Sequence, residues 1–187
     1  RDIKINSRKS LVVSRKYQCS HGFGYSTITS KVKHIEIETT YFVPLNSAGE
    51  RWLIKVTNTS RKIHRITVSP TVKFVAGDIA MELHYPNIMK LYNRAYFDPK
   101  KNMIVAYKMP YPGRPVQTYC YFASSRKASC PFKKITGEDM VGILEHKLTL
   151  RPNETKEFVI TLGYSQKKLS PIPYSLSSSK KELAQVK

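Results

Sequence analysis

Apolar and polar residues alternate along much of this chain with a period of two. From His34 to Val43 the residues run His-Ile-Glu-Ile-Glu-Thr-Thr-Tyr-Phe-Val and stop at Pro44. Such alternation sends one set of side chains to a core and the other to water, which predicts a half-buried strand. Asn46-Ser47-Ala48-Gly49 has turn chemistry, and Trp52–Thr57 follows as a strand ending at Asn58. Arg65–Val68 and Val72–Val75 predict two short strands. Met103–Tyr107 and Thr118–Ala123 are rich in β-formers and flank the loop Pro110-Tyr111-Pro112-Gly113-Arg114-Pro115. Gly142–Leu150 predicts a strand with Leu144, His146 and Leu148 on one face. Pro152-Asn153-Glu154 then turns the chain into Glu157–Leu162.

Many short strands joined by turns predict an all-β fold, an antiparallel β-sandwich. Helix is indicated in two places only. One is Gly77–Leu91, interrupted at Pro86. The other is Ser179–Val186, where Ser177, Ser178 or Ser179 is available as a cap. Residues 1–163 read as the sandwich and 164–187 as a linker or tail, rich in Ser, Pro and Lys from Ser165 to Ser178.

A chain of 187 residues supports one domain with a real core. The 12 Tyr and 7 Phe belong to an ordered protein rather than a disordered one. Charge adds a separate question. Lys and Arg total 32 against 13 Asp and Glu, a net +19 spread along the sequence with no run of five basic residues. Such a field favours polyanions, but charge alone is weak evidence, and nucleic acid is disfavoured as a partner. Cys19, Cys120 and Cys130 are odd in number and include no C-x-x-C pair, so thiols in a reducing, cytoplasmic setting are expected rather than a disulfide scaffold or zinc site. No stretch of about 18 apolar residues is present, so no membrane-spanning helix is expected. The first residues, Arg1-Asp2-Ile3-Lys4-Ile5, carry no initiator Met and read as part of a longer chain. The triplets Asn58-Thr59-Ser60 and Asn153-Glu154-Thr155 match the glycosylation pattern at a frequency that chance explains.

Catalytic patterns fail one by one. His21-Gly22-Phe23-Gly24 precedes a strand pattern, not a helix, which disfavours a phosphate cradle. His21, His34, His64, His84 and His146 include no H-x-x-x-H pair, and no G-x-S-x-G elbow exists. Cys19 and His21 share a strand face by spacing. They are a thiolate pair only if a third group orients the His; otherwise Cys19 is a packed thiol near a turn. Glu36 and Glu38 read as exposed alternation, and Asp78/Glu82 and Glu138/Asp139 select no acid and base. No catalytic residue, metal ligand or cofactor is assigned. Tyr17, Phe23, Tyr25, Tyr41, Phe42 and Trp52 crowd the first third and are expected mostly in the core.

Three ordered segments carry a family resemblance: Tyr17–Ile28, with its His-Gly-x-Gly-Tyr-Ser element; Glu38–Leu45, with Thr-Tyr-Phe-Val-Pro; and Glu50–Ser60, ending Asn-x-Ser. With Glu145–Glu157 and Leu162-Gly163 as a closing hairpin, the set resembles the N-terminal supersandwich of glycoside hydrolase family 94, which includes cellobiose and chitobiose phosphorylases and the phosphorylase portion of cyclic β-1,2-glucan synthases. The resemblance covers residues 17–163. It implies a galactose-mutarotase-like sandwich and a helical linker to an (α/α)6 barrel that holds the general acid and the phosphate site. It also implies inverting phosphorolysis and a sandwich that packs on the barrel and helps form a homodimer. The resemblance further implies that the barrel and some N-terminal chain lie outside this sequence. The basic segment Ser124–Lys134 replaces an excursion that the family makes rich in Asp, Arg and Gly.

The resulting expectation is a non-catalytic, carbohydrate-associated sandwich. A stand-alone carbohydrate-binding module and a basic sandwich that binds nucleic acid are the alternatives. Candidate interface or carbohydrate-proximal residues are His21, Phe23, Tyr25, Arg94 and Tyr96. His21 is either a barrel-facing residue or a satisfied structural histidine. Arg94 and Tyr96 are expected in an irregular loop, where binding residues concentrate.

Overall fold

A computed structural model describes residues 3–6, 17–47, 49–76, 79–111, 113, 117–137, 139–165 and 175–187. Asp78, Glu138, most of the loop 112–116 and the tail 166–174 therefore lie outside the described residues. In chain order the strands are β1 (Ile3–Asn6), β2 (Tyr17–Gly22), β3 (Tyr25–Val32), β4 (Ile35–Phe42), β5 (Glu50–Asn58), β6 (His64–Ser69), β7 (Thr71–Lys73), β8 (Asn93–Asp98), β9 (Met103–Lys108), β10 (Tyr119–Ser124), β11 (Lys134–Thr136), β12 (Val141–Ile143), β13 (His146–Leu150) and β14 (Thr155–Ser165). Three helices complete the described residues: α1 (Ile79–His84), α2 (Pro86–Leu91) and α3 (Leu176–Val186).

Nine of these strands form one sheet in the order β11-β8-β9-β10-β14-β5-β4-β3-β2, antiparallel throughout. Its inner face packs against two small sheets, β1-β6-β13 and β12-β7. Ile54, Val56, Phe122, Phe158 and Ile160 of the large sheet share one buried cluster with Ile66, Val68, Leu148 and Leu150 of the small one. The expected sandwich is thus present. One pair departs from the antiparallel pattern: β1 runs parallel to β6, with Ile3 opposite Ile66.

Alternation explains which faces are buried. In β5, Trp52, Ile54 and Val56 look into the core, while Arg51, Leu53 and Lys55 look outward. Gly142–Leu150 is broken into β12 and β13, because Leu144 and Glu145 bond to Pro70 and Ser129 rather than to a continuous ladder. Leu144, His146 and Leu148 are all buried, as their spacing predicts. The Asn-x-Ser element at the end of β5 is structural. Asn58 is fully buried, its amide donates to the Lys62, Leu150 and Arg151 carbonyls, and its carbonyl accepts from Ser60. It fastens β5 to the β13–β14 turn and offers no free amide for glycosylation.

The helix expected over Gly77–Leu91 is, among the described residues, two short helices that meet at Pro86, where proline at the first turn is tolerated. Lys108, nearly buried at the end of β9, pairs with Glu82 of α1 and ties this excursion to the sheet. The C-terminal helix begins earlier than expected. Ser175, not one of Ser177–Ser179, caps it by accepting from the Ser178 amide.

Candidate functional site

The outer face of the large sheet carries the polar and aromatic residues that alternation excludes from the core. α3 covers part of it. Leu183 and Ser179 are buried there, Glu182 sits 3.5 Å from the fully buried Arg51, and Lys180 pairs with Glu157 at 2.5 Å. The helix end reaches the β2–β3 hairpin, where Lys187 lies 5.0 Å over the Tyr25 ring.

Beyond α3 the outer face shows a row of tyrosines. Tyr107 on β9 and Tyr119 on β10 stand side by side, with Arg94 of β8 opposite Tyr107 and Tyr96 of β8 on the diagonal, opposite Val105. The Tyr107 and Tyr119 rings are 5.4 Å apart. Met103, Val105 and Ala123 form an apolar floor against which Tyr96 and Tyr119 pack. Burial, helped by Asp98 and by the neighbouring phenols of Tyr107 and Tyr119, raises the Tyr96 pKa above the ordinary value, so its hydroxyl remains a donor at neutral pH. Tyr119 donates to Gln117, and Arg94 is held by the Leu91 and Asn93 carbonyls at 2.8 and 2.7 Å. Arg94 and Tyr96 are therefore strand residues, contrary to the expected loop. Asn93, Ala95 and Phe97 supply the inward half of the alternation. Partly buried aromatic rings with polar tips suit the apolar faces and hydroxyls of a sugar ring. Nothing among these groups is arranged to make or break a bond.

The other candidates lie elsewhere. Phe23 and Gly24 form the β2–β3 turn, with Gly24 at φ 79°, the value that a type II turn requires at its third residue. Phe23 is 94% exposed at the tip. Tyr25 faces the outer side, over Gly22, where a Cβ would fall 2.1 Å from its ring. His21 faces the opposite side, between Cys19 Sγ at 3.4 Å and Ser26 Oγ at 2.8 Å. Ser26 is a partner that spacing alone did not reveal. Cys19 is exposed, which overturns the expectation of a packed thiol: among the described residues β2 is an edge strand. Six strand steps separate β3 from β8, roughly 29 Å at the usual strand spacing, so the hairpin and the tyrosine row are two sites, not one. Only Arg94 and Tyr96 among the five candidates come together.

The aromatic crowd of the first third also divides. Trp52 and Tyr41 stack toward Phe122 and the core, and Phe42 is buried, but Tyr17 and Phe23 are exposed. Asp139 is occupied by Lys73 and Lys90, at 3.6 and 3.7 Å. Among the described residues no three of His, Cys, Asp and Glu gather as metal ligands. Tyr107 and Tyr119 escaped sequence reasoning as site residues. Their signal was present in their opposite phase to Ile104, Ala106, Cys120 and Phe122.

The glycosyl hydrolase 94 supersandwich domain matches residues 7–137. The chain belongs to that family. Solabiose phosphorylase from Paenibacillus borealis is 25% identical over 161 residues, covering 74% of this chain and 21% of that protein. The supersandwich chain thus spans about a fifth of the curated relative. Among solved structures, a kojibiose phosphorylase from the human microbiome aligns over 87% of this chain and 20% of its own, at 14% identity and a TM-score of 0.49. An aldose 1-epimerase from Escherichia coli K12 aligns over 80% and 68%, at 10% identity and a TM-score of 0.48. Family membership rests on the domain match and not on these superpositions. No helix among the described residues is long and apolar enough to cross a membrane.

Proposed function

We propose that this supersandwich is the non-catalytic part of an inverting glycoside phosphorylase acting on β-linked glucosides or related sugars. The family match over residues 7–137 carries the reading. In it, phosphate attack and proton transfer belong to an (α/α)6 barrel outside this chain, and the sandwich supports the barrel and a homodimer. The α1–α2 surface favours such packing: Ile79, Leu83, Ile88 and Leu91 are each more than half exposed. Apolar residues concentrated in this way mark interaction surfaces.

The test is to assay phosphate release and uptake with β-linked disaccharides, using the chain alone and the chain fused to its downstream barrel. Activity is expected only in the fusion; turnover by the chain alone would overturn the reading. Charge substitution at Leu83 and Leu91 is expected to weaken barrel packing or dimerisation, measured by light scattering.

The tyrosine row favours a second reading, a sandwich that itself holds saccharide. Calorimetric titration with β-glucan oligosaccharides tests it, and Tyr107→Ala is expected to abolish the heat. A flat titration at millimolar sugar with the unmodified chain would dismiss it. Trp52 is no reporter here, since its ring faces the core.

A further inference from the structure

The excess positive charge is not spread evenly over the fold. Half of the carboxylates among the described residues pair with cations: Glu82 with Lys108, Asp139 with Lys73 and Lys90, Glu154 with Lys156, Glu157 with Lys180 and Glu182 with Arg51. Glu36 and Glu38 stand opposite Lys31 and Lys55 across the strands. A different balance holds where the basic segment after β10 meets the start of β13. There Arg126, Lys127, Ala128, Ser129, Glu145 and Lys147 line an open cleft of ≈ 600 Å³, with three cations against one carboxylate.

The frame of this cleft is fixed by hydrogen bonds. Asn102, in the left-handed conformation at φ 52°, donates to the Ser124 and Arg126 carbonyls and accepts from the Ala128 amide. The Ser125 amide donates to the Val159 carbonyl, and its hydroxyl accepts from the Val159 amide. Ser129 and Glu145 exchange both backbone bonds, at 3.0 and 2.8 Å. His146 behind the cleft is buried, and desolvation lowers its pKa to about 4, so it adds no charge at neutral pH. The backbone that carries these cations is thus fixed, and an anion entering the cleft meets a net positive field.

We infer that this cleft binds the phosphate ester of a sugar or similar polyol. Arg126 offers a fork that matches a phosphate, and Lys127 and Lys147 offer point charges. Glu145 selects among anions. Its carboxylate repels a second negative group but accepts hydroxyls, and Ser129 Oγ stands 3.4 Å from it as a further polar contact. A run of phosphates or sulfates would be repelled by that carboxylate; a single phosphate joined to a hydroxylated body would instead donate hydroxyls to it. The site shares no residue with the tyrosine row and stands whether or not that row holds saccharide.

Calorimetry and thermal shift on the whole chain test the inference, with glucose 1-phosphate, glucose 6-phosphate, inorganic phosphate, sulfate, glucose and heparin as probes. At least one sugar phosphate is expected to bind about tenfold more tightly than inorganic phosphate, the value of one good charged hydrogen bond. Glucose alone is expected not to bind. Arg126→Gln and Lys147→Gln are each expected to weaken the sugar phosphate about tenfold while leaving the ligand-free melting temperature unchanged or higher. Lys127→Gln, at an exposed position, serves as the variant least able to disturb folding. Glu145→Gln is expected to shift preference toward inorganic phosphate. The inference fails if no sugar phosphate binds at millimolar concentration, or if sulfate and inorganic phosphate match the esters. It also fails if heparin binds more tightly than any ester through these same residues.

Discussion

His146 offers a direct test of how this core is built. Its ring is fully buried, 4.3 Å from Phe158, with the Lys127 backbone as a polar neighbour. Burial is the main cause that lowers its pKa from 6.5 to about 4; the Lys127 backbone opposes the shift and Arg126 adds to it. An unfolded chain binds a proton at this residue as pH falls through 6.5, whereas the folded chain stays neutral until about 4. Stability from this site is therefore complete above the unfolded value and is lost as pH falls between the two. One pKa unit corresponds to about 1.4 kcal/mol, so the full loss is about 3 kcal/mol, of which about 2.5 kcal/mol has accrued at pH 4.5. His146→Leu removes the titration and keeps an apolar group between Leu144 and Leu148. Urea unfolding of both proteins at pH 7.5 and at pH 4.5 measures the difference. Carboxylate titration affects both alike, so the parent is expected to lose about 2.5 kcal/mol more than the variant. At pH 7.5 the variant is expected to be about as stable as the parent, since an apolar side chain replaces a buried imidazole of incomplete hydrogen bonding. Parallel pH profiles would refute the argument.

Three further outcomes follow from the packing. A Cβ on Gly163 would sit 2.4 Å from Tyr121 Oη and 2.6 Å from its Cζ. Gly163→Ala is expected to cost about 1–3 kcal/mol and lower the melting temperature by roughly 2–12 °C; strict additivity with Tyr121→Ala would contradict the clash. Glu182→Gln removes a carboxylate 3.5 Å from the buried Arg51 and is expected to cost up to about 3–5 kcal/mol, while Arg51→Met with Glu182→Leu recovers most of it in thermal unfolding; no loss in the single variant would deny the ion pair any role in docking α3. Cys19 is exposed, whereas burial raises the pKa of Cys120 and Cys130. Maleimide at neutral pH is expected to label Cys19 first, and mass spectrometry showing Cys120 or Cys130 ahead of it would be the contrary result.

The central strands were legible because alternation is long and clean there: His34–Val43 and Trp52–Thr57 became β4 and β5 with the expected faces inward. β8 and β11 were not. Asn93–Asp98 is short, begins directly after α2 and carries Arg and Asp in its outward half, so its pattern reads as polar loop. At the candidate site, Arg94 and Tyr96 were named but misplaced. Their neighbours Tyr107 and Tyr119 had been read only as β-formers.

The amino-acid order by itself determined the fold class and the alternating faces of β4 and β5. Each of these rests on spacing within a few residues, where backbone geometry is local. Tertiary structure alone decided that β10 lies between β9 and β14, and that α3 covers Arg51. It also decided that a loop after β10 meets β13 to gather Arg126, Lys127 and Lys147 around Glu145. Those partners are distant in sequence, and period two records that a side chain leaves the core without recording what it meets outside.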